Sequence, residues 1–140
     1  MNKNDKMLKE VIDLINRMKS TRPLVECLTN RVTINDCANM LLAMGASPIM
    51  AEIECEMEEI MNISSALVIN LGLLDGTYLS AMKTAAEAAK RLGKPIVLDP
   101  VGAGASKLRD ETCREMIELT KPDIIRGNMS EIRALTGGNI

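Results

Sequence analysis

The segment PIVLDPVGAGAS, residues 95–106, has the pattern of a buried strand that runs directly into a glycine-rich turn. The strand formers end at Asp99, and Gly102, Gly104 and Ser106 follow. In an open parallel sheet, ligands bind at the carboxyl ends of the strands, where such turns lie. Small residues let backbone amides approach a phosphate, and a neighbouring carboxylate can hold Mg²⁺ through water. The alternative is a tight strand-to-helix loop without a ligand.

Strand patterns and helix patterns alternate on both sides of this turn. Apolar runs predict strands at residues 24–28, 47–51, 66–72, 95–99 and 123–126. Helical spacing predicts helices over residues 1–20, 34–44, 52–60, 79–92, 108–119 and 128–136. This alternation is typical of βαβ units and a mostly parallel α/β sheet. We expect the first helix to cover one face of that sheet, and a capping box of Thr33 and Asp36 to begin the second.

The composition indicates one globular domain and excludes several functions. The 140 residues are 46% hydrophobic and 26% charged, as in ordinary globular domains. The net charge of −2 and the single aromatic residue, Tyr78, argue against a nucleic-acid partner. There is neither a signal-peptide pattern nor an apolar run of membrane-spanning length. We therefore expect a cytoplasmic protein without a membrane partner.

The residue types restrict the available chemistry. Histidine is absent, so chemistry depends on carboxylates, Arg, Lys, Ser, Thr, Cys or a bound metal. The four cysteines have no C-x-x-C spacing, which argues against a zinc site and a redox motif. We expect them to be reduced core residues.

A second strand-to-helix junction occurs at RGNMSE, residues 126–131. Arg126 can neutralise phosphate oxygens, and Glu131 can act on a metal or on metal-bound water. The alternative is that Asn128 and Glu131 only cap the following helix and that Arg126 is a surface residue.

Three asparagines lie close together before and within the second predicted helix: Asn30, Asn35 and Asn39. Asparagine favours turns and caps, which accounts for one or two of them. Three of them leading into a nearly apolar helix predict a polar-rimmed pocket for a small ligand, with Met50 at a strand end as a soft wall. The alternative for each residue alone is a structural role.

Four segments in this order, PLVECLTNRVTINDCANMLLAMGASPIM, ALVINLG, PIVLDPVGAGAS and IIRGNMSEI, closely resemble the N-terminal half of hydroxyethylthiazole kinase. The resemblance covers nearly the whole chain after the first helix. It implies a three-layer, ribokinase-like α/β fold with a mostly parallel sheet flanked by helices. Residues 1–140 would then be the N-terminal half of one kinase domain, truncated after roughly half the fold.

The resemblance also implies a reaction, which is phosphorylation of the hydroxyl of 4-methyl-5-(2-hydroxyethyl)thiazole by ATP with Mg²⁺, in thiamine salvage. Carried over by position, Met50 and Asn30 would line the thiazole site, with Asn39 on the adjoining helix. Asp99 and Glu131 would organise the metal. Arg126 and Asn128 would face the ATP phosphates, beside Gly102 and Gly104. Family members are trimers with the thiazole site at a subunit interface, which makes the asparagine-rich helix an expected assembly surface.

The chain departs from the family pattern at Glu26, often histidine, and at Arg31, often aromatic or polar, so we expect altered substrate contacts near the first strand. The residue proposed as catalytic base belongs to the C-terminal half, so no catalytic residue is assigned. The resemblance also places the glycine-rich anion hole and much of the adenine pocket in that half, so we expect turnover to require it. The alternation here ends after a helix, at GGNI, where another strand is expected. The alternatives are a non-catalytic thiazole-binding or oligomerisation module and a generic nucleotide-binding Rossmann domain, against which the incomplete glycine fingerprint counts.

Overall fold

A computed structural model describes residues 2–137 and contains a five-stranded, entirely parallel sheet with the order β2-β1-β3-β4-β5. The strands are β1 (Leu24–Leu28), β2 (Ser47–Ile49), β3 (Ala66–Asn70), β4 (Ile96–Asp99) and β5 (Ile124–Ile125). Each successive strand is reached through a helix, as parallel pairing requires. The predicted α/β class and all five predicted strands are confirmed, although the second strand ends at Ile49 rather than at residue 51.

Six α-helices connect or precede these strands: α1 (Lys3–Thr21), α2 (Ile34–Met44), α3 (Met57–Ile63), α4 (Gly76–Arg91), α5 (Lys107–Thr120) and α6 (Met129–Leu135). A 3-10 turn at Glu54–Glu56 precedes α3, so the helix predicted from residue 52 begins later. Apart from Gly137, the segment GGNI lies outside the described residues. No helix among residues 2–137 has both the length and the apolar character needed to cross a membrane.

One face of the sheet carries the main core. Strand residues such as Leu67, Ile69 and Leu98 are fully buried against α3, α4 and α5. The α4 face that meets the sheet consists mostly of alanines, and this lets the helix approach the strands closely. Methionines, Met57, Met61 and Met82 among them, fill the space that aromatic residues occupy in other cores.

The opposite face of the sheet is covered only near β1. There Val25, Cys27 and Ala46 form a small cluster with Met18, Leu41, Met50, Ala66 and Val68. The expectation that α1 covers the sheet is wrong, because Met18 is the one α1 residue in this cluster and no α1 residue is buried. Helical periodicity indicates which face of α1 is apolar, but it does not indicate what that face contacts.

The start of α2 also differs from the prediction. Thr33 makes no side-chain capping bond. Its hydroxyl and its backbone amide instead donate to Oδ1 of Asn30 at 3.2 and 3.1 Å. The preceding turn is therefore organised by Asn30, and the predicted capping box does not form.

Candidate functional site

The uncovered part of the second sheet face forms two adjoining cavities at the carboxyl ends of the strands. The large cavity, of about 580 Å³, lies between α2 and the tips of β1, β3 and β4 and includes Asn30, Cys37, Val68, Asn70 and Val97. The small cavity, of about 380 Å³, includes Gly127, Asn128 and Glu131. Asp99, Val101 and Arg126 line both cavities, so these three residues mark the place where the two meet.

Asp99 and Arg126 form an ion pair at this junction. Nη1 of Arg126 donates to Oδ2 of Asp99 at 2.7 Å. The Asp99 side chain is only 12% exposed and that of Arg126 is 78% exposed, so the pair joins a buried carboxylate to a guanidinium that reaches into solvent. The parallel pairing of β4 and β5 brings the two strand tips together.

Asn70, at the end of β3, connects this ion pair to the rest of the large cavity. Its Nδ2 donates to Oδ2 of Asp99 at 3.1 Å, and its Oδ1 accepts from Nδ2 of Asn30 at 3.3 Å and from the Gly72 amide at 2.9 Å. Asn70 is not among the site residues predicted from the sequence. The available signal is that it is the single polar residue of ALVINLG and immediately precedes the strand-to-helix turn.

Of the three predicted thiazole-site residues, only Asn30 lines the large cavity. Asn30 lines the large cavity and is half-buried. Asn39 is exposed on α2 and does not line the cavity, whereas Cys37, Met40 and Leu41 of the same helix do. Met50 packs in the cluster with Val25 and Cys27, outside the lining of the large cavity. The structure therefore brings Asn30 to the cavity without Asn39 or Met50.

The two glycines of the β4–α5 loop adopt the left-handed backbone conformation that favours glycine, with φ of 80° at Gly102 and 88° at Gly104. Their amides are already engaged. Gly102 N–H donates to Oε1 of Glu131 at 3.0 Å, and Gly104 N–H donates to Oδ1 of Asp110 at 2.6 Å. Carboxylates therefore hold the two amides that the sequence analysis assigned to phosphate.

Arg109, on α5, joins this loop to the loop after β3. Its guanidinium donates to the carbonyl oxygens of Leu71 and Val101 at 3.0 Å each and to that of Gly72 at 3.3 Å. A Cβ at position 102 would lie 2.7 Å from Cδ of Arg109, so Gly102 also provides room for this side chain. Arg109 was not predicted as a site residue, because a single arginine in a charged helix has no distinguishing sequence pattern.

Asn128 and Glu131 form the capping box expected as the alternative to a ligand role. Oδ1 of Asn128 accepts from the Glu131 amide at 3.0 Å, and Oε2 of Glu131 accepts from the Asn128 amide at 2.8 Å. Both oxygens of Glu131 are thus occupied, one by Asn128 and one by Gly102. Oδ1 of Asp99, by contrast, has no hydrogen-bond donor in the described part of the chain.

The carboxylate oxygens at this junction provide only part of a magnesium site. Mg²⁺ is commonly held by one or two protein carboxylates, together with water and substrate phosphates. Asp99 offers one such oxygen, and Glu131 offers another only after releasing an amide. Residues 2–137 contain no group of three acidic, cysteine or histidine side chains placed to hold a metal by themselves.

Glu26 and Arg31, the two family departures, do not line the large cavity. Arg31 is exposed and lies 3.7 Å from Glu52. Glu26 is fully buried on β1, and neither carboxylate oxygen has a hydrogen-bond partner with good geometry among residues 2–137. Burial raises the pKa of Glu26 to about 8, and the Glu56 carboxylate adds to the rise, although the Ala51 amide opposes it.

The four cysteines differ in solvent exposure, although all were expected in the core. Cys27 and Cys113 are buried, and burial raises their thiol pKa values to about 12 and about 11. Cys37 is half-buried in the wall of the large cavity, and Cys55 is exposed. The expectation of four core cysteines is therefore wrong for Cys55, because the acidic segment around it forms the exposed 3-10 turn.

Comparison with known proteins identifies the family. The model of the hydroxyethylthiazole kinase family matches residues 15–140. A hydroxyethylthiazole kinase from Methanobrevibacter smithii is 46% identical over 135 residues, which are 96% of this chain and 47% of that protein. One from Clostridium beijerinckii is 49% identical over 124 residues, or 89% of this chain and 45% of that protein.

A solved structure agrees with the sequence comparisons. The hydroxyethylthiazole kinase structure from Pyrococcus horikoshii superposes with a TM-score of 0.88 at 48% identity. The superposition covers 92% of this chain and 50% of the archaeal chain. The chain therefore spans about half the length of the relatives it matches. On these matches, and on the parallel sheet and the site described above, the chain belongs to the hydroxyethylthiazole kinase family.

Proposed function

We propose that residues 1–140 form the N-terminal half of a hydroxyethylthiazole kinase domain and supply its thiazole site and part of its magnesium and ATP site. The observation that carries the proposal is the junction of the two cavities at Asp99 and Arg126. A kinase must hold an alcohol and a triphosphate on opposite sides of the transferred phosphoryl group. Two adjoining cavities with a carboxylate and a guanidinium between them suit that requirement.

The large cavity is the proposed thiazole side. Its wall includes the apolar or soft side chains of Cys27, Leu41, Val68 and Val97, which suit a small sulfur heterocycle. Polar groups, Asn30 and Thr29 among them, lie at the strand ends. We assign Asn30 to the substrate rim, and we retain Asn39 and Met50 as proposed substrate residues for an assembled enzyme.

The small cavity is the proposed ATP side. Arg126 and Asn128 line it, and Gly102 and Gly104 lie in the loop beside it. Bound magnesium would neutralise charge on the ATP phosphates, and Asp99 would hold it through Oδ1. Glu131 would join as a second carboxylate when the Gly102 amide moves from its Oε1 to a phosphate oxygen.

The proposed reaction transfers the terminal phosphoryl group of ATP to the hydroxyl oxygen of the thiazole alcohol. The bond from the γ-phosphorus to the ADP oxygen breaks, the bond to the alcohol oxygen forms, and the hydroxyl proton leaves to a base. Arg126 would stabilise charge on the transferred group, and Asp99 would keep Arg126 in place. The chain supplies positioning and charge, and the base is assigned to the other half of the domain.

We propose that turnover requires that other half. Ile124 of β5 is 57% exposed and Ile125 is 38% exposed, although both belong to a sheet that is otherwise largely buried. The matched relatives are about twice as long as the aligned region, so they contain further chain able to cover β5 and the open cavities. The alternative, a non-catalytic module that binds thiazole or assembles with other copies, predicts ligand binding or assembly without turnover.

We further propose a homotrimer that works in the cytoplasm. The exposed apolar residues of α1 and α2, which include Leu8, Leu14, Met40 and Leu42, support an assembly surface there. Four cysteines without a paired spacing suit a compartment in which thiols stay reduced.

Complementation tests this proposal. The purified chain, ATP, Mg²⁺ and the thiazole alcohol should give negligible ADP. Addition of the C-terminal part of the M. smithii relative, produced separately, should restore ADP formation, and Asp99→Asn in this chain should abolish it. Rapid turnover by the chain alone would contradict the need for a second half. Thiazole binding without turnover in either mixture would favour the non-catalytic module.

A further inference from the structure

A directed chain of side-chain hydrogen bonds crosses the strand tips in the order of the sheet. The amides of Val32 and Thr33 donate to Oδ1 of Asn30 at 3.0 and 3.1 Å, and Nδ2 of Asn30 donates to Oδ1 of Asn70. Nδ2 of Asn70 donates to Oδ2 of Asp99. Asn70 is thus the only side chain within residues 2–137 whose hydrogen bonds connect the substrate rim to the ion pair.

The direction of every link is fixed by chemistry. A carboxylate only accepts, so the Asn70 amide nitrogen must face Asp99. Its oxygen must then face the Gly72 N–H and Nδ2 of Asn30, because these groups only donate. Asn30 is oriented in the same sense by the two backbone amides at its oxygen. Neither carboxamide can rotate by half a turn without losing its partners on both sides.

The register of the sheet gives Asn70 this position. Asn70 and Asp99 are paired residues of the parallel strands β3 and β4, so their side chains leave the same face side by side. The strand pairing itself does not depend on Asn70, since the backbone ladder continues through Leu67, Val68 and Ile69. Its carboxamide lines the large cavity and contacts both proposed ligand regions.

We propose that Asn70 is a positioning residue that couples the Asn30 end of the large cavity to the Asp99–Arg126 pair. This inference rests on the proposed function for the identity of the ligands. A thiazole alcohol that binds at Asn30 restrains the Asn70 amide, and Asn70 then holds Asp99 with Oδ1 free for magnesium. By reciprocity, Mg·ATP at Asp99 increases the affinity at the Asn30 end by the same factor.

Calorimetry measures this coupling in the whole chain. The Kd for Mg·ATP is determined with and without saturating thiazole alcohol, and the wild-type ratio is expected to be about fivefold or more. In Asn70→Ala the ratio should fall to within about twofold of one. The Kd of each ligand measured alone should change by a smaller factor than this ratio does. The matched control is Asn62→Ala, which should keep the wild-type ratio. Asn62 is an exposed residue on α3 whose side chain donates to the Glu58 carbonyl.

A second measurement needs no ligand. In the wild-type background, Asp99→Asn is expected to shift the amide NMR resonances of Val32 and Thr33, and the same substitution in Asn70→Ala is expected to leave them in place. If Asn70→Ala does not fold, Asn70→Leu replaces it, because this side chain is of similar size and can neither donate to Asp99 nor accept from Asn30 and the Gly72 N–H.

The outcomes separate the inference from the proposed function. If wild type binds neither ligand, the proposed function fails, and the resonance shifts alone decide whether Asn70 couples the two ends. If both ligands bind and the coupling ratio survives in Asn70→Ala, the inference is overturned while the function stands. Shifts at Val32 and Thr33 that persist without the Asn70 carboxamide overturn it as well.

Discussion

Arg126 donates from Nη1 to Oδ2 of Asp99 at 2.7 Å, which joins the tips of two neighbouring parallel strands at the boundary between two cavities. The guanidinium is largely exposed, so the pair contributes little to the stability of the fold. Its location instead suits the recognition of an anion beside a carboxylate that can hold a cation.

Replacement of Arg126 should affect nucleotide binding more than folding. In Arg126→Ala, we expect the Kd for Mg·ATP to rise by about 10-fold to 100-fold, because a hydrogen bond to a charged group is worth about 1.5–3 kcal/mol. Calorimetric titration measures the change, and the free energy of unfolding should change by less than about 1 kcal/mol. Arg133→Ala, an exposed arginine of the same region, is the control, and equal losses in both variants would contradict a specific role.

Glu26 should make stability fall as the pH rises. Its pKa is raised from 4.5 to about 8 in the folded chain, so the folded state binds more protons than the unfolded state between these values. The Glu26 contribution to the free energy of unfolding should therefore be fully present below pH 4.5 and decrease by up to about 1.4 kcal/mol per pH unit until about pH 8.

Urea titrations of Glu26→Gln across that pH range test this expectation. The variant should lose most of the slope and be more stable than wild type near pH 8. Glu59→Gln, an exposed acid on α3, should keep the slope. Equal slopes in wild type and Glu26→Gln would show that the Glu26 carboxyl titrates normally.

Gly102 should tolerate no side chain. In Gly102→Ala, a positive φ and a Cβ placed 2.7 Å from Cδ of Arg109 should destabilise the chain by about 1–3 kcal/mol. Gly76→Ala, at the start of α4 with nothing within 4 Å of the added Cβ, should be neutral or slightly stabilising. Thermal unfolding compares the two variants, and similar midpoints would contradict the described loop conformation.

The Glu131 carboxylate should protect the glycine loop. Because Oε1 accepts from Gly102 N–H, we expect Glu131→Ala to increase the hydrogen-exchange rate of the Gly102 amide by at least about 10-fold and to cost about 1 kcal/mol through loss of the helix cap. Exchange measured by NMR tests this, with Glu118→Ala on the exposed face of α5 as control. An unchanged Gly102 rate would mean that this hydrogen bond is not formed in solution.

The sequence predicted the parallel sheet and the position of Asp99 and Arg126 at strand-to-helix junctions, because strand alternation and polar strand ends are local patterns with one usual geometric outcome. It did not predict the roles of Asn70 and Arg109, since their partners come from distant segments. The exposure of Asn39 and of α1 also depends on tertiary packing, which helical periodicity does not specify.

Chemical-shift mapping of the labelled chain tests the central claim, that two ligands bind side by side at the Asp99–Arg126 junction. The thiazole alcohol should shift amides of Asn30, Cys37 and Val68, and Mg·ATP should shift amides of residues 99, 101–104 and 126–128. Asn70 and Asp99 should respond to both ligands. Either of two results would contradict this claim. One is that the shifts are confined to the α3–α4 side of the sheet, and the other is that neither ligand shifts any amide at millimolar concentration.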